Sequence, residues 1–184
     1  LTVKFDEPVQ LPRRVLVAVL ALPVLLVAAV LLASVLVRSQ GPGPLPLAAV
    51  PAPEATSPQC AALVAALPED IDTSEDGAGR GRLDRRPIAN PAPAGTAAWG
   101  EPPVVLRCGL GRPAELTVSS RLLAVSGVQF LEIPGPGATS WVAVDRPVYV
   151  ALTLPAGSGS AALQRVAATI RMTLPRTDVD LGQR

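Results

Sequence analysis

The strongest pattern along the chain is an unbroken apolar run from Val15 to Val37, which contains no charged residue and includes Pro23. About 20 apolar residues are needed for a helix to cross a bilayer, and a helix over this run would rise roughly 34 Å. The pattern therefore predicts a single transmembrane helix over residues 15–38, with the lipid bilayer as its partner.

Charges at the ends of the run predict its orientation. Three basic residues lie within residues 1–14 and Arg38 alone follows closely, so the positive-inside rule makes residues 1–14 a cytoplasmic tail. The C-terminal part is then extracytoplasmic, in a single-pass cell-membrane protein. The alternative is a cleaved secretory signal, whose apolar core is shorter, about 7–15 residues. Leu1 leaves open whether the chain starts at an unusual codon or is a fragment.

After the apolar run, residues 39–57 are rich in proline and glycine, which predicts a semi-extended tether. An exported domain is expected over residues 58–175. Its first helix has Ser57 as the N-cap and Pro58 at the first helical position. An apolar stripe at helical spacing follows, formed by Cys60, Leu63, Val64 and Leu67.

Apolar residues that alternate with polar ones predict strands further along the chain. Four such segments are Pro103–Cys108, Val128–Ile133, Ser140–Val144 and Val148–Leu154. The segment Leu116–Val125 fits a short helix or a strand equally well. Residues 69–100 are poor in large apolar side chains and predict a long polar loop.

A second helix is expected near the C-terminus, capped by Ser158 or Ser160, before a polar tail at residues 176–184. Its apolar stripe consists of Leu163, Val166, Ile170 and Leu174. The elements together predict an α+β fold. It is a small, largely antiparallel sheet of about four strands with two helices packed on one face, preceded by a single transmembrane helix.

The two cysteines of the chain, Cys60 and Cys108, both lie in the part expected outside the cytosol. In an oxidising compartment such a pair is most simply a disulfide. It would close a loop of about 49 residues, which the chain-entropy model values at about 4 kcal/mol. Two thiolates without histidine fall short of the four ligands that zinc prefers, so no metal site is predicted.

The charged residues exclude several classes of function. The net charge is +1, aromatic residues make up 3%, and histidine is absent. Nucleic-acid binding would require a basic stripe with stacking aromatics, so no nucleic-acid partner is predicted. Ser–His and Cys–His pairs are excluded, and Lys4 is the only lysine, so no Ser–Lys dyad is expected in the exported part. No catalytic residue and no cofactor are predicted.

An acidic segment, Asp72–Gly77, matches the first half of a calcium-binding loop. Leu83 stands where the loop would require a bidentate glutamate, which favours a solvated acidic loop instead.

The segment Ala98–Gly109 carries Trp-Gly, Pro-Pro and Leu-Arg-Cys-Gly motifs, and Asp145–Val150 reads DRPVYV. In these motifs the chain resembles the domain-of-unknown-function family 3515, over roughly residues 12–175. The resemblance implies a membrane-anchored or secreted actinobacterial envelope protein with no assigned activity, so no catalytic residue is transferred. Residues considered for a surface or groove are Trp99, Trp141, Arg107, Asp145 and Arg146, although a core tryptophan is more common than a groove tryptophan.

These observations favour a non-enzymatic envelope protein whose exported domain binds or scaffolds a membrane-protein or cell-wall partner. The alternative is a ligand carrier or an enzyme that acts on cell-wall glycan. Such an enzyme would use two carboxylates, for which Glu101, Glu132 and Asp145 are the candidates.

Overall fold

The structure, a computed structural model, describes residues 12–39, 43–73 and 81–182. It divides the chain into two compact units, residues 1–41 and residues 42–184. The first unit contains helix α1, Arg13–Ser39, with Pro23 inside it. The apolar run therefore forms a helix, as its composition favours.

The predicted transmembrane helix at residues 15–38 is wrong. Among the helices that the described residues form, none has the length and apolarity needed to cross a bilayer. The prediction relied on the apolar run alone, and such a run favours a helix without establishing a span. The predicted lipid-bilayer partner was inferred from the same helix, so it is no longer supported by it.

The second unit is an α+β fold built on a six-stranded antiparallel sheet with the order β3-β4-β8-β7-β6-β5. A separate two-stranded sheet pairs β1 with β2. The elements of this unit are α2 Pro58–Ala66, β1 Asp70–Asp72, β2 Arg82–Asp84, β3 Thr96–Trp99, β4 Val104–Leu110, β5 Leu122–Val125, β6 Val128–Gly135, β7 Ala138–Ala143, β8 Tyr149–Pro155 and α3 Ala161–Thr173.

The expected sheet of about four strands is wrong, because the main sheet has six. The four predicted strands correspond to β4, β6, β7 and β8, and the ambiguous segment Leu116–Val125 contains β5. Strands β1, β2 and β3 lie in the stretch at 69–100 that was predicted to be a polar loop. Each of these strands has only three or four residues, which is too short to show an alternating apolar pattern. Each forms because it pairs with a neighbouring strand.

Helices α2 and α3 pack on one face of the sheet and form the main core with it. Sheet residues such as Phe130 and Leu152 contribute to this core, as do Leu63 of α2 and Ile170 of α3. All four are fully buried, and burial of side chains of this size contributes about 1.5–3 kcal/mol each.

The opposite sheet face carries a smaller apolar cluster centred on Leu131 and Val142, with Leu116 from the loop before β5. Val179 of the C-terminal segment packs against it, and Thr177 N donates to Asp145 O at 3.0 Å. The segment predicted as a polar tail is therefore held against the sheet near residues 177–179.

A disulfide between Cys60 and Cys108 joins α2 to β4, with the two Cα atoms 5.6 Å apart. This bond confirms the predicted pairing, and both residues are buried. The predicted N-cap is also present, since Ser57 Oγ accepts a hydrogen bond from Cys60 N at 3.3 Å. Next to the disulfide, Gly109 has a φ of +82°, and a Cβ there would lie 2.3 Å from Ala55 N. Only glycine allows this close approach of β4 to the turn before α2.

Candidate functional site

A groove of about 540 Å³ lies on the sheet face opposite the helices, and we call it the outer groove. Its floor is formed by side chains of β4, β6, β7 and β8, and its walls by residues 50–51 and 110–115. The residues that line it are Val50, Pro51, Arg107, Leu110, Gly111, Arg112, Pro113, Glu115, Ile133, Ser140, Val142, Ala151 and Thr153. Its size lies within the range of small-ligand sites, about 300–1,000 Å³.

Strand register explains which side chains meet on the floor of the outer groove. Arg107 pairs with Ala151 across β4 and β8, and Thr153 pairs with Ser140 across β8 and β7. Because alternate residues of a strand face the same side, these four side chains lie on one sheet face. Ser140 Oγ and Thr153 Oγ1 are 2.9 Å apart and share a hydrogen bond.

Arg107 is the most distinctive group in the outer groove. It is half-buried, and within the described ranges it has neither a hydrogen bond nor an ion pair. Burial lowers the pKa of its guanidinium, because desolvation disfavours the charged form. Arginine nevertheless stays protonated at neutral pH, so the groove holds a cation whose five N–H donors have no acceptor among the described residues.

The other charged groups of the outer groove lie at its wall and are exposed. Arg112 is already engaged, since its Nε donates to Asp180 O at 3.0 Å and its Nη2 donates to Leu116 O. Glu115 is the acidic residue among those that line the groove. The same floor therefore carries a positive charge at Arg107, two hydroxyl groups and apolar side chains.

Trp99, a candidate groove residue, lies in the core. Its side chain is fully buried, and its Nε1 donates to Pro68 O at 3.0 Å. The Arg85 guanidinium lies 5.1 Å from the ring centroid, in a cation–π contact. Trp99 thus fixes the end of β3 against the loop after α2 and takes no part in the outer groove.

Trp141 is half-buried on the helix-bearing face and lines a second groove of about 410 Å³. Leu123, Leu154 and Leu163 lie beside it, and the loop at 155–160 closes one end. Since Trp141 and Arg107 lie on opposite sheet faces, they do not belong to one site.

Asp145 and Arg146 form a buried ion pair in which each side chain is 1% exposed. Asp145 Oδ2 lies 3.3 Å from Arg146 Nη1, and Asp145 Oδ1 accepts from Gln129 N at 3.0 Å. Arg146 Nη2 donates to Gly127 O at 2.9 Å. The pair therefore connects the loop after β7 to the β5–β6 hairpin. Because both side chains are buried, neither can contact a ligand in either groove.

The carboxylates proposed for glycan hydrolysis have different surroundings. Glu101 pairs with Arg86, Asp145 is buried, and Glu132 is exposed on β6. A hydrolytic pair requires two carboxyl groups that both reach the same glycosidic bond, and the burial of Asp145 removes it from such a pair.

Four of the residues in the proposed calcium loop, residues 74–77, lie outside the described residues. Within the part of the chain that the structure describes, no group of three metal-ligating side chains is found.

Ser140, Thr153 and Arg112 line the outer groove but are not among the site residues predicted from the sequence. Ser140 and Thr153 come together only through the pairing of β7 with β8, a register that neither strand shows by itself. The alternation of polar and apolar residues in each strand was the available signal, and it identifies a shared face without identifying neighbours.

Comparison with known proteins identifies the family. The family model described as "Protein of unknown function (DUF3515)" matches residues 20–179. The chain therefore belongs to this family, which confirms the resemblance seen in the Trp-Gly and Leu-Arg-Cys-Gly motifs. No curated protein and no solved structure matches the chain.

Proposed function

We propose that residues 42–184 form a non-enzymatic binding module that acts in the cell envelope, outside the cytosol. Its outer groove would hold a membrane-protein or cell-wall partner. The observation that carries this proposal is the half-buried guanidinium of Arg107 on the floor of that groove, which has no hydrogen bond or ion pair to any residue that the structure describes. A half-buried charge without a protein partner costs free energy in the unbound molecule, and a bound partner of opposite charge would offset that cost.

The disulfide supports the proposed compartment. Disulfides form and persist in oxidising environments and are rare in the cytosol. Cys60 and Cys108 are both buried, so the bond has a structural position rather than an exposed redox-active one.

The compartment can be tested with a reporter fused after Arg184. Alkaline phosphatase requires export for activity, so we expect it to be active there, whereas a fluorescent protein that matures only in the cytosol should stay dark. The opposite pattern, or mass spectrometry that finds both cysteines reduced in native material, would overturn the proposed compartment.

The binding role can be tested by photo-crosslinking in intact cells. A photoreactive residue at Glu115, which is exposed on the wall of the outer groove, should form one reproducible adduct. The matched control is the same residue at Met172, which is 75% exposed on α3 and distant from the groove in the fold. Adducts of equal yield at both positions, or none at Glu115, would contradict the proposal.

A further inference from the structure

We propose that the outer groove recognises the carboxylate of an amphipathic ligand, and that Arg107 is the residue that binds it. This inference rests on the proposed function and adds the chemical class of the bound group. It follows from the charge, the hydroxyl groups and the apolar side chains that the groove brings together.

The guanidinium of Arg107 has the chemistry to bind a carboxylate. A guanidinium presents a planar fork of N–H donors that matches the two oxygens of a carboxylate. Arg107 is half-buried and makes no hydrogen bond within the described ranges, so its fork is available to a ligand. Arg112, in contrast, has two backbone carbonyls as acceptors and is less available.

A pair of hydroxyl groups on β7 and β8 adds a further hydrogen-bond donor to the groove floor. Each hydroxyl of Ser140 and Thr153 has one O–H, and the bond between them uses one of the two. The hydroxyl that accepts in this bond keeps its own O–H as a donor. The groove floor thus offers a second donor for an anionic oxygen, on the face that carries Arg107.

Part of the outer groove is lined by apolar side chains. Leu110, Ile133 and Val142 line it from the sheet, and Val50 and Pro51 line it from the segment before α2. A simple inorganic anion would leave these side chains unused. A ligand that joins a carboxylate to a short apolar chain would contact both parts, and the groove volume of about 540 Å³ accommodates one.

The experiment uses the full chain and three six-carbon probes, with binding followed by calorimetry and NMR. Hexanoate carries the carboxylate, hexanamide is its neutral match, and hexyl phosphate carries a different anion. We expect hexanoate to bind at least about tenfold more tightly than hexanamide, since hydrogen bonds to a charged group are the stronger kind. A preference of hexyl phosphate over hexanoate by the same factor would overturn the assignment of a carboxylate.

Variants assign the binding to Arg107. Arg107→Gln should weaken hexanoate binding by about tenfold to a hundredfold, and Arg107→Lys should bind with intermediate affinity because it keeps the charge but loses the fork. The matched control is Arg171→Gln, an exposed arginine of α3 on the helix-bearing side, which should leave hexanoate affinity unchanged. Arg107 has no partner in the described ranges and its half-buried charge costs free energy in the unbound protein, so neither variant should unfold at a lower urea concentration than the wild type.

Equal affinity of hexanoate for the wild type and Arg107→Gln would overturn the inference. The experiments distinguish a failure of the carboxylate assignment from a failure of the proposed function. If the Glu115 photo-adduct forms but hexanoate and hexanamide bind equally, the groove binds a partner through other chemistry. If hexanoate binds through Arg107 but no adduct forms, carboxylate recognition stands and the macromolecular partner is wrong.

Discussion

Replacing Arg146 with leucine tests how strongly the buried carboxylate of Asp145 depends on its neighbouring cation. Arg146 Nη1 lies 3.3 Å from Asp145 Oδ2, and both side chains are 1% exposed. Removing one partner of a buried ion pair leaves an uncompensated charge and costs about 3–5 kcal/mol. A domain of this size has a total stability of about 5–15 kcal/mol, so Arg146→Leu should lose a large fraction of it.

The structure provides a matched control on the same carboxylate. Arg176 Nε lies 3.7 Å from Asp145 Oδ2, but its side chain is 70% exposed. Exposed ion pairs contribute about 0–1 kcal/mol, because water screens the charges and the long side chain loses freedom. Arg176→Leu should therefore change the free energy of unfolding by less than about 1 kcal/mol.

Urea unfolding, followed by the fluorescence of the two tryptophans, measures both variants. With an m-value of about 2 kcal/mol per molar urea, a loss of about 4 kcal/mol lowers the midpoint by about 2 M. The double variant Asp145→Leu with Arg146→Leu should recover much of the loss, since replacing both partners by apolar groups is often nearly neutral. Equal losses for Arg146→Leu and Arg176→Leu would refute the reasoning that burial decides the effect.

Three further predictions concern other parts of the second unit. Replacing Cys60 and Cys108 together by alanine should lower the free energy of unfolding by about 4 kcal/mol in urea, and a loss below about 1 kcal/mol would contradict the chain-entropy account. Tyr149, the only tyrosine of the chain, has its pKa raised mainly by burial, so the folded state binds its proton more tightly than the unfolded state does. The stability that this confers is fully present below the unfolded pKa of about 10 and is lost as the pH rises through the folded pKa. Its absorbance titration should have a midpoint above about 10 in the folded protein, and a midpoint at or below that value would refute the shift. Gly109→Ala should cost at least about 2 kcal/mol in thermal or urea unfolding, because it combines a positive φ with a backbone clash. Gly157→Ala, with a φ of +81° and open space around it, should cost less, and equal costs would show that the clash is relieved.

The helices of the second unit were predictable because their signals are local. Ser57 and Pro58 define the start of α2, and the apolar stripes of α2 and α3 have helical spacing within one short segment. Strands β4, β6, β7 and β8 were predictable for the same reason, since the alternation of side chains is visible within each strand.

Strand β3, which was missed, and strand β5, which was left ambiguous, each depend on pairing with the next strand along the chain. β3, with the sequence TAAW, contains one large apolar side chain and becomes a strand by pairing with β4. β5 ends at the tight turn Ser126–Gly127, in which both residues have a positive φ. Leu123, a residue of β5, is exposed, which weakens the apolar pattern of the strand. In both cases the partner strand supplies the hydrogen bonds, and the local pattern is too short to indicate them.

The candidate site was predictable only in part. The Cys60–Cys108 disulfide was predicted because the chain has two cysteines and both lie in the part expected outside the cytosol, and the structure confirms the bond. The placement of Arg107, Thr153 and Ser140 on one sheet face follows from strand register, which no single strand encodes. The apolar run at α1 predicted a helix correctly and a transmembrane span incorrectly, because apolarity is a shared property of several kinds of helix.

The covalent link between α2 and β4 has a mechanical consequence. The Cys60–Cys108 bond bridges 48 positions of the chain, so tension applied to the second unit from its N-terminal end passes from Cys60 directly to β4. Residues 61–107 carry no tension while the bond is intact. In a single-molecule pulling experiment the oxidised protein should extend by about 170 Å less than the reduced protein, at about 3.6 Å per residue.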